Sequence, residues 1–259
     1  MSGPSGVMSV ILLETAVGGS VVLWASGVWG VVRRGFFLLT GVTVTLCALG
    51  AWALTRTEVA AAPRAGGGTA AAGLAVFAGL LVLWQVLLLA RLETPARAVG
   101  VVAAAAGVVT LPLFAQLRDS AVATGIIELA LGALFLGATL YGLLLGHWYL
   151  VERRLDQRWM IRGVWWYIAG VAGGIGAAAL SAGNPAPASA DTGFSPFLAV
   201  PGFTVLLAGG LVAICAIIAG FVWKLAGEGG RSIQAATGYF YLAVIMAFSA
   251  ELSSKFRFF

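Results

Sequence analysis

Long apolar runs, broken by short polar stretches, organise this chain. Runs of spanning length occupy residues 8–32, 36–55, 70–90, 98–117, 122–150, 163–182, 197–223 and 234–252. At about 1.5 Å per residue each run is long enough to cross a hydrocarbon layer roughly 30 Å thick. Only helices fit such runs in a bilayer, because every backbone N–H and C=O must find its partner inside the segment. The pattern therefore predicts an all-α, polytopic integral membrane protein with eight transmembrane helices.

Composition agrees. The 259 residues are 61% hydrophobic and 10% charged, where a soluble domain carries about 25% charged residues. The opening MSGPSGVMSV has no basic segment, and the apolar run after it is longer than a signal-peptide core. The first run is therefore expected to stay as a helix. Cys47 and Cys215 both fall inside apolar runs and read as small core residues.

The net charge of +5 matters less than its distribution. One set of loops and span ends holds Arg33, Arg34, Arg91, Arg97, Arg153, Arg154, Arg158, Arg162, Lys224 and Arg231. The other holds Arg56, Arg64, Arg118, Lys255 and Arg257. Ten basic residues against five place the first set in the cytoplasm and both termini outside. Arg33, Arg34, Arg153 and Arg154 are the headgroup-facing residues of that side. The basic residues report topology and lipid contact, and no nucleic-acid partner is expected. The stretch NPAPASADTGFSP, residues 184–196, reads as an outer loop without a basic residue.

The chain also reads as a duplication. ILLETAVGG (11–19) aligns with GIIELALGA (125–133), setting Glu14 on Glu128, Ala16 on Ala130 and Gly18 on Gly132. RGFFLLTGV (34–42) aligns with RGVWWYIAGV (162–171), Ala78-Gly79 with Ala208-Gly209, and FAQL (114–117) with SAELS (249–253), which sets Gln116 on Glu251. Residues 1–120 and 121–259 are thus two four-helix bundles. Four helices is an even number, so the axis relating them lies along the membrane normal. In architecture alone this resembles the quinone-reactive membrane subunits of polysulfide-reductase type.

Polar residues inside the spans mark the candidate chemistry. Glu14, Glu128 and Glu251, with Gln116, are candidates for proton handling or interhelix hydrogen bonding on the outer side. A buried carboxyl without a counter-ion is neutral, so Glu14 and Glu128 are expected to be mostly protonated and to bond a Ser, a Thr or a backbone carbonyl. His147, the single histidine, stands with Trp148, Tyr149 and Tyr141 near the cytoplasmic end of the fifth span. That group is the candidate quinone or cofactor site; a haem or chlorin would need His147 as a lone axial ligand. No metal site is expected. The chain contains no GxxxxGKS, HExxH, CxxC or CxxCH. Lys224 lies at a span boundary and Lys255 in the tail, which leaves no mid-span lysine for a Schiff base.

The expected function is that of an integral subunit of an energy-transducing, respiratory or photosynthetic complex in a bacterial cytoplasmic membrane. It would pack against cofactor-bearing partner subunits and shape a quinone or proton path, without catalysis of its own. A small-molecule or ion transporter and a structural assembly protein are the alternatives.

Overall fold

The computed structural model describes residues 4–63, 65–117, 121–152, 154–183 and 202–255. Arg64, Arg118, Arg153, Arg257 and the 184–196 loop lie outside the described residues. Eight α-helices and no strands make up the described chain: α1 Pro4–Ala25, α2 Arg34–Ala61, α3 Gly67–Leu89, α4 Glu93–Ala115, α5 Val122–Val151, α6 Gln157–Ala182, α7 Phe203–Glu228 and α8 Ser232–Lys255. All eight are long and apolar enough to cross a membrane. The protein is a multi-pass membrane protein.

The boundaries depart from the apolar runs where turn chemistry intervenes. α1 stops at Ala25, seven residues early, because Gly27 and Gly30 take left-handed φ values of 71° and 78°. α3 ends in a tight turn in which Leu92 N–H reaches back to Leu87 O, 3.0 Å, with Arg91 in the left-handed region. α6 starts at the cap residue Asp156, whose carboxylate accepts from Arg158 N–H at 2.9 Å. α8 runs three residues past its apolar run, to Lys255.

Packing makes α1 and α5 the axis of the molecule. In each, 78% of the apolar window is buried, against 33–44% for the other six helices. α1 packs on α2, α2 on α3, α3 on α4, and α4 returns to α1. The same ring runs α5, α6, α7, α8 and back to α5. The two rings meet along α1–α5, flanked by α4–α5 and α1–α8.

Glycine makes the central contact close. Gly18 and Gly137 bring the backbones of α1 and α5 together, and a Cβ on Gly18 would run into the Ala133 carbonyl. Such close approach is how membrane helices associate where no hydrophobic force acts between them. Large side chains fill notches elsewhere: Trp24 lies over Gly100 and Phe240 over Gly142.

Two faces follow from this order. The Lys255 face is where α1 and α5 begin and α8 ends. The arginine face carries the turns between α1 and α2, α3 and α4, α5 and α6, and α7 and α8, with Arg33, Arg91, Arg154 and Arg231.

Candidate functional site

Three acidic side chains from three helices converge beneath the Lys255 face. Glu14 comes from α1, roughly 15 Å along the helix from Pro4 at 1.5 Å per residue. Glu128 comes from α5, about 9 Å along from Val122 on the same rise. Glu251 is one turn before the end of α8. All three are buried, at 0%, 0% and 2% exposure.

The group that joins them is Lys255. Its ammonium donates to Glu128 Oε1 at 2.9 Å, and lies 3.0 Å from Glu14 Oε1 and 3.5 Å from Glu251 Oε2. Its side chain is fully buried. The contacts differ in kind. Glu128 has hydrogen-bond geometry, Glu14 has ion-pair distance only, and neither Glu14 oxygen has a hydrogen-bond partner among the described residues. Ser254 Oγ, donating to the Glu251 backbone carbonyl at 3.0 Å, also comes within 3.4 Å of Glu251 Oε2. Gly132 makes the room for Glu14: a Cβ there would stand 2.6 Å from Glu14 Oε1.

This corrects the placing of Lys255 in an outer tail. The residue is the last of α8, and Glu251 stands one turn before it on the same helix face. It is drawn inward because three buried carboxyls need a cation more than the tail needs solvation. The partner expected for Glu14 and Glu128, a hydroxyl or a carbonyl, is replaced by an ammonium. The signal was in the sequence: three acids within spans, and a lysine at i+4 from one of them.

Gln116 does not join the cluster. It is the exposed cap residue of α4. The aromatic group around His147 spreads over separate surroundings. His147 is exposed, with Nδ1 3.5 Å from Tyr241 Oη. The Trp148 indole donates to Glu152 at 2.9 Å and its ring stands 6.1 Å from Phe36. Tyr149 donates to Asp156 O at 2.7 Å and accepts from Met160 N–H at 3.0 Å, which pins the α5–α6 turn. Tyr141 is buried against Phe36. Tyr241 is the polar neighbour of His147 that sequence reading missed; the two are 94 residues apart and no local pattern links them.

On the arginine face, Arg33 pairs with Glu152 at 3.1 Å. Arg34 donates to Leu88 O at the end of α3, 3.3 Å, while Arg154 is exposed. In the other ring, Gln157 donates to Ala226 O and Gly227 O at the end of α7, 2.7 and 2.8 Å. Two clefts, of about 290 and 350 Å³, sit beside these ties. One is lined by Trp29, Arg33, Arg34 and Glu93, the other by Tyr149, Gln157, Arg231 and Gln234. Cys47 and Cys215 are free thiols inside the helices.

A buried carboxylate–lysine cluster inside an eight-helix bundle defines this as a multi-pass membrane protein with an ionisable interior site. No protein family, curated protein or solved structure matches the chain.

Proposed function

We propose that this protein is an integral subunit of an energy-transducing membrane complex, and that Glu14, Glu128, Glu251 and Lys255 form its proton-holding site. The observation that carries the reading is, among the described residues, one buried ammonium among three buried carboxyls. Burying an uncompensated charge costs several kcal/mol per ion even after relaxation. Lys255 offsets one carboxylate, and its hydrogen bond selects Glu128 for that role. Glu14 and Glu251 then hold protons, and Glu14 meets Lys255 at ion-pair distance, 3.0 Å, without the hydrogen-bond geometry of Glu128. The same contacts join α1, α5 and α8, so the cluster is first a joint and second a proton store.

Supporting this placement, the described chain has turns between helices rather than a soluble domain. Catalysis, if the complex has it, belongs to partner subunits. The exposed His147–Tyr241 pair is the place on this subunit where a quinone carbonyl would find polar contacts. The ten-to-five distribution of basic residues supports an orientation with both termini outside, and the membrane in this reading is a bacterial cytoplasmic one. Cysteine labelling tests the orientation in a background without native cysteines. Ala62 should react from outside intact cells and Arg158 should not; the reverse result inverts the topology.

The duplication is supported by the two rings of packing and by the matching ties of α2 to the end of α3 and of α6 to the end of α7. The flanking contacts α4–α5 and α8–α1 exchange under a rotation that carries each ring onto the other.

Glutamine and leucine substitutions test the function. Glu14→Gln keeps shape and a donor but cannot release a proton. In the complex purified with its partners, it should assemble like the parent and lose proton-coupled turnover. Glu14→Leu should weaken assembly as well. Normal turnover in both variants would remove the proton-holding reading.

A further inference from the structure

The cleft between the α1–α2 turn and the α3–α4 turn, about 290 Å³ on the arginine face, combines a fixed apolar wall with arginine. Val32, Phe37 and Leu88 line it and are buried. Trp29 also lines it, edge-on to Phe37 at 4.8 Å and 5.0 Å from Trp24, which is wedged over Gly100. Packing therefore sets this wall before anything binds.

The charged lining is mainly cationic. Arg34 donates to Leu88 O at 3.3 Å, which holds its guanidinium at the cleft. A guanidinium carries five N–H donors in a planar fork that matches phosphate. Arg33, 80% exposed, shares its charge with Glu152 at 3.1 Å. Glu93 is the acid among the lining residues, and it stands in the first turn of α4, where the helix dipole favours a carboxylate. Arg91 adds an exposed cation on the same turn. Three cations against two carboxylates leave this corner positive. Apolar surface continues outward from it. Leu89, Val86 and Val82, spaced by three and four residues on α3, are exposed and begin next to Leu88.

We infer that this cleft binds the phosphodiester headgroup of an anionic membrane lipid, with the phosphate on Arg34 and an acyl chain along the Val82–Val86–Leu89 stripe. Trp29 suits that depth, since indoles gather where headgroups meet hydrocarbon. A free phosphate ion shares the charge but leaves the stripe uncovered. A zwitterionic lipid covers the stripe but brings a positive group that Arg33 and Arg34 repel. The corner between the α5–α6 and α7–α8 turns is less suited. Its cleft has Arg231 as the cation in its lining, and Tyr149 and Gln157 there are engaged in holding turns. The lipid site is independent of the proton-holding reading and of which compartment the arginine face meets.

Native mass spectrometry of the full-length protein, stripped of lipid in detergent, tests this by titration with phosphatidylglycerol, phosphatidylcholine and inorganic phosphate. Phosphatidylglycerol should bind more tightly than phosphatidylcholine, and excess inorganic phosphate should not displace it. Arg34→Gln should weaken the anionic lipid about fivefold, the usual effect of one basic residue at a membrane surface. Arg154→Gln removes an exposed charge that lines neither cleft and should leave binding unchanged. Glu93→Gln keeps Arg34 and its bond in place and should tighten binding. Equal weakening in Arg34→Gln and Arg154→Gln, or no gain in Glu93→Gln, would reduce the binding to a diffuse surface effect and overturn the site. Displacement by inorganic phosphate would make the ligand free phosphate and overturn the lipid.

Discussion

The α1–α4 and α5–α8 groups pack on one plan, a ring of four helices with the first member at the centre of the molecule, yet their last helices end differently. α4 ends at Ala115, followed by an exposed Gln116. α8 ends on a buried turn that carries Glu251, Ser254 and Lys255. Both central helices, α1 and α5, supply a glutamate, but of the two last helices α8 alone, among the described residues, supplies a cation that lets the glutamates stay inside. A shared scaffold thus provides two seats, and a few residues at one helix end decide where the chemistry sits. The seam between α1 and α5 repeats the lesson at shorter range. On one side of the Gly18–Gly137 contact it holds Glu14 and Glu128; on the other it holds hydroxyls bonded to their own helices.

The comparison breaks most sharply at Lys255. Lys255→Met leaves three buried carboxyls without their cation, and removing one partner of a buried ion pair costs about 3–5 kcal/mol. Thermal unfolding in detergent should show that loss, and an unchanged midpoint would mean that the ammonium is not the joint. Gly18→Ala comes next. Its methyl would strike the Ala133 carbonyl, so α1 and α5 must part, at about 1–3 kcal/mol for overpacking. Gly132→Ala should cost less on the same scale, because its methyl meets the end of the Glu14 side chain rather than backbone. Equal midpoints for the two variants would show that the backbone contact is not tight. The smallest effect is at the end of α4. Gln116→Ala should stay within about 0.5 kcal/mol, as exposed positions do, whereas Glu251→Ala should destabilise clearly. Similar losses at both positions would erase the distinction between the two helix ends.

Much of the architecture was legible because membrane spans are written in long apolar runs. Six of the eight helices begin or end close to the ends of their runs; α1 stops early at the Gly27 and Gly30 turns, and α7, Phe203–Glu228, is shifted toward the C-terminus of its run at both ends. Glu14 and Glu128 stood out because a carboxylate within a span has to be accounted for. Lys255 did not, for a physical reason. Hydropathy stops a span where polar residues begin, and SSK after Leu252 reads as the start of solvent. The turn is nevertheless buried because α1 and α5 offer it carboxyls, and that is information from distant parts of the chain. The His147 group failed to gather for the opposite reason. Trp148, Tyr149 and Tyr141 are close in sequence, but helical geometry turns neighbours to different sides.

A set of double-mutant cycles is the most direct test of the central claim, that one ammonium holds three carboxyls together. Lys255→Met is combined in turn with Glu14→Gln, Glu128→Gln, Glu251→Gln and Gln116→Ala, and unfolding free energies are measured for every single and double variant. Residues in one ion-pair network couple by about 0.5–3 kcal/mol, and independent sites add. Coupling is expected with all three glutamates, largest with Glu128, and none with Gln116. Additive effects at the three glutamates would contradict the account.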